Sequence, residues 1–267
     1  MSFSACARDL KDIIAEQVSY YELLYQMTRR DLLLRYKQTA IGFGWAIFMP
    51  LVNTAVFSMI FMKVAPVSTG MPYPVFAYCG LLAWNFSASS FRFAVNSLTS
   101  NVSLVTKVYF PREIFPVSAV LVSLVDFAVG SLVLLAMMAY YHITPTWAVL
   151  ALPVVVAVHV AFTIAVALVL AMANLFYRDV KYLFEIGITV WMFSTSVVYP
   201  VDIIGGRLRL LLALNPMTPI IDAYRAVLLH GELPPPSFGV AALGAVGFVA
   251  VAAVVFHRAE YRFAENI

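Results

Sequence analysis

No glycine in the chain is followed by lysine, so the phosphate-cradling G-x-x-x-x-G-K-[ST] loop is absent. Charge is scarce as well. Asp, Glu, Lys and Arg make up 12% of the 267 residues, against about 25% in an average soluble domain. There are two cysteines, Cys6 and Cys79, far apart in sequence, and His142, His159, His230 and His257 show no metal-ligand spacing. No pairing of nucleophile with base stands out, nor an acidic pair for sugar transfer, nor a nucleic-acid motif. The chain therefore reads as a non-catalytic protein with no catalytic residues, no metal and no cofactor of its own.

What it has in excess is apolar sequence: 63% of residues are hydrophobic and the mean hydropathy is +0.89. A bilayer core of roughly 30 Å takes about 20 apolar residues per helix. Segments near residues 41–65, 72–98, 116–140, 147–173, 183–200 and 237–256 meet that length. The fold expected is an all-α integral membrane protein with six transmembrane helices over residues 41–267, preceded by a charged arm over 1–40. Charged residues such as Arg8, Asp9, Lys11 and Glu16 come before any long apolar run, unlike a secretory signal. Both termini are then expected on the cytoplasmic side. That orientation puts 12 of the 17 basic residues inside, as the positive-inside rule asks.

In the arm, Leu10, Ile13, Ile14, Val18, Tyr21 and Leu24 recur at helical spacing. This predicts an amphipathic helix near residues 8–26, lying in the membrane interface or packed on a partner as a soluble helix. A basic stretch from Arg29 then runs through Arg35, Tyr36 and Lys37 into Gly42, Gly44 and Trp45. Such a junction either holds anionic headgroups or merely enforces topology with a tryptophan anchor.

The second span has a polar, aromatic half, with Trp84, Asn85, Phe86, Ser89, Phe91, Arg92 and Phe93. An unpaired Arg92 there is costly. Asp126 is the one acid well inside an apolar segment, roughly 15 Å deep against roughly 9 Å for Arg92 at 1.5 Å per residue. An Arg92–Asp126 pair between adjacent spans is expected; otherwise Asp126 bonds to local serines while Arg92 snorkels to the headgroups. Between spans two and three, Pro111 and Pro116 bracket Arg112 and Glu113, which fits a short rigid helix or a plain interfacial turn. After Pro200, Gly205, Gly206, Pro216 and Pro219 divide the apolar sequence into pieces too short to span. Short helices dipping in from the outer face are the expectation.

The runs RYKQTAIGFGWAIFMP, YPVFAYCGLLAWNF, NSLTSNVSLVTKVYFPREIFP and LNPMTPIIDAYR resemble the type-2 ABC exporter permeases, in order and over nearly the whole chain. The likeness is to the O-antigen polysaccharide subfamily, Wzm-like, with capsule and teichoic acid permeases related; TKVYFPREIFP is its most specific segment. The resemblance implies a homodimer of six-helix permeases in the inner membrane, with two copies of a separate ABC ATPase subunit that binds ATP and Mg. The implied substrate is a lipid-linked polysaccharide of the undecaprenyl pyrophosphate type, most often O-antigen, with membrane lipids around it and no nucleic acid. It further implies an interface helix near 8–26, a coupling helix near 100–114 and re-entrant gate helices near 203–231.

On that resemblance the lipid pyrophosphate is received at Ile41 and Gly42 beside Arg35, Tyr36 and Lys37. The aromatic and polar pore surface falls to Tyr36, Phe43, Trp84, Phe86, Phe91, Arg92 and Phe93. ATPase contact falls to Lys107, Phe110, Arg112 and Glu113. Two other classes stand beside this reading. A gradient-driven secondary transporter would have only Asp126 and Glu185 as embedded titratable groups, and a membrane glycosyltransferase would need a catalytic acid or metal site that the sequence does not display.

Overall fold

The hydropathy runs become helices in a computed structural model that describes residues 19–37, 42, 44–64, 69–107, 110–200 and 214–263. Among the described residues there is no strand. The helices are α1 (Tyr21–Tyr36), α2 (Gly44–Met59), α3 (Tyr73–Ser97), α4 (Val102–Lys107), α5 (Ile114–Tyr140), α6 (Leu152–Phe176), α7 (Val180–Phe193), α8 (Met217–Arg225) and α9 (Pro236–Ala259). Pro72, Pro153 and Pro236 sit at helix starts, where a missing N–H costs nothing. Backbone groups satisfied within each segment are what a hydrocarbon surrounding requires.

Among the described residues, four helical stretches are long and apolar enough to cross a membrane: Gly44–Lys63, Ile114–Tyr140, Trp147–Phe176 and Pro236–Arg262. Two of the six expected spans differ. The second, α3, has the length at 25 residues but carries Asn85, Ser87, Ser89, Ser90 and Arg92, and the fifth, α7, is 14 residues long. α3 is the hub of the bundle and packs on α2, α5, α6, α7 and α8. Ser87 and Ser90 are buried against neighbouring helices, while Asn85, Ser89 and Arg92 turn toward a cavity.

One core cluster joins Tyr78, Trp84, Phe91, Phe162, Ile220 and Tyr224. A second gathers Phe110, Phe115, Phe256 and Phe263 beside the C-terminal end of α3. Within a bilayer such packing gains shape complementarity rather than release from water. Hydrogen bonds therefore help to fix the register. His159 on α6 bonds to Ser87 on α3 at 2.7 Å and to Tyr224 on α8 at 3.2 Å, so three helices share one buried imidazole.

Several expectations are corrected here. Where the segment expected as an arm helix near 8–26 is described, the chain is helical from Tyr21 and stays so through the basic stretch to Tyr36. Leu, Arg and Tyr carry no helix breaker, so the positive charges ride on the helix instead of forming a junction. The expected coupling helix near 100–114 is a six-residue α4 after a 3₁₀ turn at Thr99–Asn101. Residues 8–18 of the arm, Ile41, Phe43, the side chain of Lys107 and residues 203–213 lie outside the described residues.

The segment after Pro200 gives α8, followed by a π-helical turn at Ala226–His230 that ends on Gly231 with φ of +71°. Nearly every residue of α8 is buried. Its anchor is Arg225, whose guanidinium donates to the carbonyls of Ser196 and Val197 at 2.6 Å each and lies 3.6 Å from the Phe76 ring centre. Gly80 on α3 makes room: a Cβ there would stand 2.2 Å from the Val197 oxygen and 2.5 Å from an Arg225 nitrogen.

Candidate functional site

α1 lies along α5, held by Ser118 donating to Asp31 at 3.1 Å and by Arg30 donating to Asn101 at 3.1 Å. That placement delivers Arg35 and Tyr36 to the side of α5 where Asp126 sits. Arg35 meets Asp126 at 2.6 Å, donates to Ser89 of α3 at 2.9 Å and lies 4.3 Å from the Phe93 ring centre. The Tyr36 hydroxyl donates to the other oxygen of Asp126. Burial first, and then this bond to Asp126, pushes the Tyr36 phenol above its ordinary range, so the hydroxyl stays a donor.

The expected Arg92–Asp126 pair is not formed. Arg92 instead reaches Glu185 of α7 at 3.3 Å, with both side chains about half exposed. Depth along two spans leaves out α1, which brings a nearer guanidinium with its own supporting hydroxyl. Asp126 is thus held between two groups of one neighbouring helix.

A cavity of about 410 Å³ opens at this cluster, lined by Arg35, Tyr36, Asn53, Asn85, Ser89, Arg92 and Asp126 on its polar side and by Trp45, Met49, Phe86 and Phe127 on its apolar side. A second, of about 290 Å³, lies against Asp31, Arg35, Arg92, Phe93, Asn96 and Asn101. Arg35 and Arg92 line both. A cavity with guanidinium groups, amides and ring edges can take an anion carried on an uncharged polar or apolar body. Asn85, Ser89 and Arg92 fall at i, i+4 and i+7 on α3 and so share one helical face. That spacing was the sequence signal for the site; Asn53 of α2 left none.

The expected pore aromatics separate. Trp84 and Phe91 are closed inside the chain, where Phe91 stacks on Trp191 at 5.8 Å with planes 2° apart and Trp84 meets the same ring edge-on at 5.8 Å. Their faces are used up by packing, which excludes them from a passage surface. Phe86 is buried against Phe127 and His159 and shows only part of itself to the cavity. Phe93 is exposed. Gly42 has φ of +58°, a left-handed turn just before α2 that suits glycine, and Lys37 ends α1 with an exposed side chain.

The expected ATPase contacts also turn out differently. Phe110 is buried on Phe115, Glu113 is buried, and Arg112 donates to Glu260 at 2.8 Å beyond the end of α9. Two prolines and an inward phenylalanine fold the turn back onto the bundle, so these side chains brace it from within. Exposed positions on the same segment are Ser100, Val102, Ser103 and Thr106. Glu113 is pushed up to about 7, by burial first and then by the neighbouring charge of Glu260.

The sequence profile of the family described as ABC-2 type transporter matches residues 22–229. The O-antigen export system permease protein RfbA of Myxococcus xanthus is 32% identical over 260 residues, covering 96% of this chain and 99% of that protein. A Klebsiella pneumoniae protein of the same name is 28% identical over 247 residues, 92% of this chain and 95% of its own length.

Proposed function

Since the chain belongs to the ABC-2 type transporter family, we propose that it is the membrane subunit of an ATP-driven exporter carrying a lipid-linked O-antigen polysaccharide across the inner membrane. It works as a homodimer with two separate ATPase subunits beneath it and crosses the membrane six times, α3 and α7 completing the four long apolar helices. Both termini are cytoplasmic. α8 belongs to the outer gate.

The observation that carries this reading is Arg35, held at a cavity by Asp126, Ser89 and Phe93. A guanidinium binds phosphate oxygens with two parallel N–H bonds. With no substrate present, Asp126 neutralises Arg35 and lowers the cost of keeping a cation beside the bilayer. An arriving pyrophosphate displaces one carboxylate contact, and the Tyr36 hydroxyl stays on Asp126 so that it is not stranded. Lys37 and Arg92 add positive charge at the rim. The lipid tail stays in the bilayer, and the first sugars meet Asn53, Asn85 and the cavity's ring edges.

The test uses permease and ATPase reconstituted together in vesicles. Undecaprenyl-pyrophosphate-linked glycan should stimulate ATP hydrolysis. With Arg35→Ala that stimulation should fall at least tenfold, a loss of about 1.4 kcal/mol or more in a charge-assisted contact, while hydrolysis without substrate is unchanged. Full stimulation in the variant would refute the headgroup site.

A further inference from the structure

Glu113, His257 and Glu260 meet away from the cavity, where the turn before α5 touches the end of α9. His257 and Glu260 are three residues apart, which puts both side chains on one face of the helix end. Glu113 comes from the other segment and is 3% exposed, yet neither of its carboxylate oxygens has a hydrogen-bond partner. The Nδ1 atom of His257 has none either. One ligand atom from each of the three residues lies within 4.8 Å of the others.

Two ways of satisfying this cluster differ in the distances they call for. Nδ1 of His257 stands 3.5 Å from Glu113 Oε1 and 3.7 Å from Glu260 Oε2. A protonated imidazole donating to a carboxylate would draw in to about 2.7–2.9 Å. Four ligands around zinc at bonds of about 2.0–2.1 Å stand roughly 3.3 Å from one another, close to the two His257 distances. Arg112 occupies the far oxygen of Glu260, with its guanidinium at 2.8 Å and its backbone N–H at 3.2 Å, and leaves Oε2 turned toward His257. That is how an outer partner orients a metal-binding carboxylate.

We propose that Glu113, His257 and Glu260 bind a divalent transition-metal ion of the zinc class, which staples the segment before α5 to the end of α9. One imidazole nitrogen and two carboxylate oxygens fill three positions; water fills the fourth on the side where His257 is partly exposed. The staple is structural, and it does not depend on the identity of the transported molecule.

The experiment takes the full chain, purified in detergent without a histidine tag, stripped with chelator, given zinc and passed through gel filtration. The expected result is one zinc per chain, with X-ray absorption showing one nitrogen-type and two or three oxygen-type neighbours and no sulfur. Zinc should raise the melting temperature by about 5 °C or more at saturating concentration. Glu113→Gln and His257→Gln should each weaken zinc retention at least tenfold and abolish the melting shift. A wild-type chain that holds no zinc, or holds it through sulfur, overturns the proposal whatever the variants do. Equal retention by both variants overturns it too.

Discussion

Asp126 is the residue on which the cavity turns, and its neighbours set the size of the effects to expect. Its side chain is 15% exposed and that of Arg35 22%, so the pair is shielded without being dry. Breaking such a pair strands the remaining charge, at a cost of about 2 kcal/mol here, below the range for fully buried pairs. Asp126→Ala should therefore lower the melting temperature by roughly 4–8 °C. Combining it with Arg35→Ala should cost less than the sum of the two single changes, since the second removes the stranded charge. Glu185→Gln, by contrast, loosens an exposed pair with Arg92 and should change stability by less than about 0.5 kcal/mol. Thermal unfolding of these four variants and the unsubstituted chain in one detergent checks all of this. Sequence makes Asp126 conspicuous as the acid deepest inside an apolar segment. Its partner was not legible, because Arg35 lies 91 positions away on a helix outside the spans, and depth along two helices cannot say which third helix lies against them.

At the scale of elements, hydropathy located the helices well because it measures what the bilayer selects. The segment expected near 116–140 corresponds to α5 almost to its ends, and that near 147–173 to α6 together with the 3₁₀ turn Trp147–Ala151 before it, and the proline and glycine breaks after Pro200 marked the change of pattern that precedes α8. The same signal failed for residues that point inward. Phe110, Trp84 and Phe91 look alike in sequence whether they face lipid, a passage or the core, and all three are core. The seating of α8 shows the kind of contact that composition cannot reveal, since Arg225 donates to two backbone carbonyls through a gap left by Gly80. Gly80→Ala should collide with the backbone at Val197, which cannot yield as a flexible side chain would, and should cost about 1–3 kcal/mol as overpacking. A lowered melting temperature with normal membrane insertion is the expected outcome. Gly187→Ala on α7, where nothing lies within 4 Å of the added carbon, serves as the control and should be neutral or slightly stabilising.

The whole molecule is left with apolar surface that one chain does not cover, together with one charged pair that lipid would not accept. The α2 span is mostly uncovered, and α7 exposes Leu183, Ile186, Val190 and Phe193. Beside them stand Arg92 and Glu185, about half exposed. Charges at membrane depth face protein or water, so the six-span homodimer proposed above requires the α3–α7 edge carrying this pair to be wetted and the apolar remainder of α7 to meet lipid or the second copy. In the homodimer proposed above, that edge lines the passage between the two copies. Thr189, exposed one turn beyond Glu185 on α7, reports on it without disturbing the ion pair. In a chain with Cys6→Ser, where Cys79 is buried, Thr189→Cys should react with a charged, water-soluble maleimide in vesicles containing the assembled transporter. Leu183→Cys, exposed on the same helix but not one turn from Glu185, gives the comparison. Thr189→Cys should react at least tenfold faster. Equal and slow labelling at both positions would mean that the Arg92–Glu185 edge faces lipid and that the passage between copies lies elsewhere.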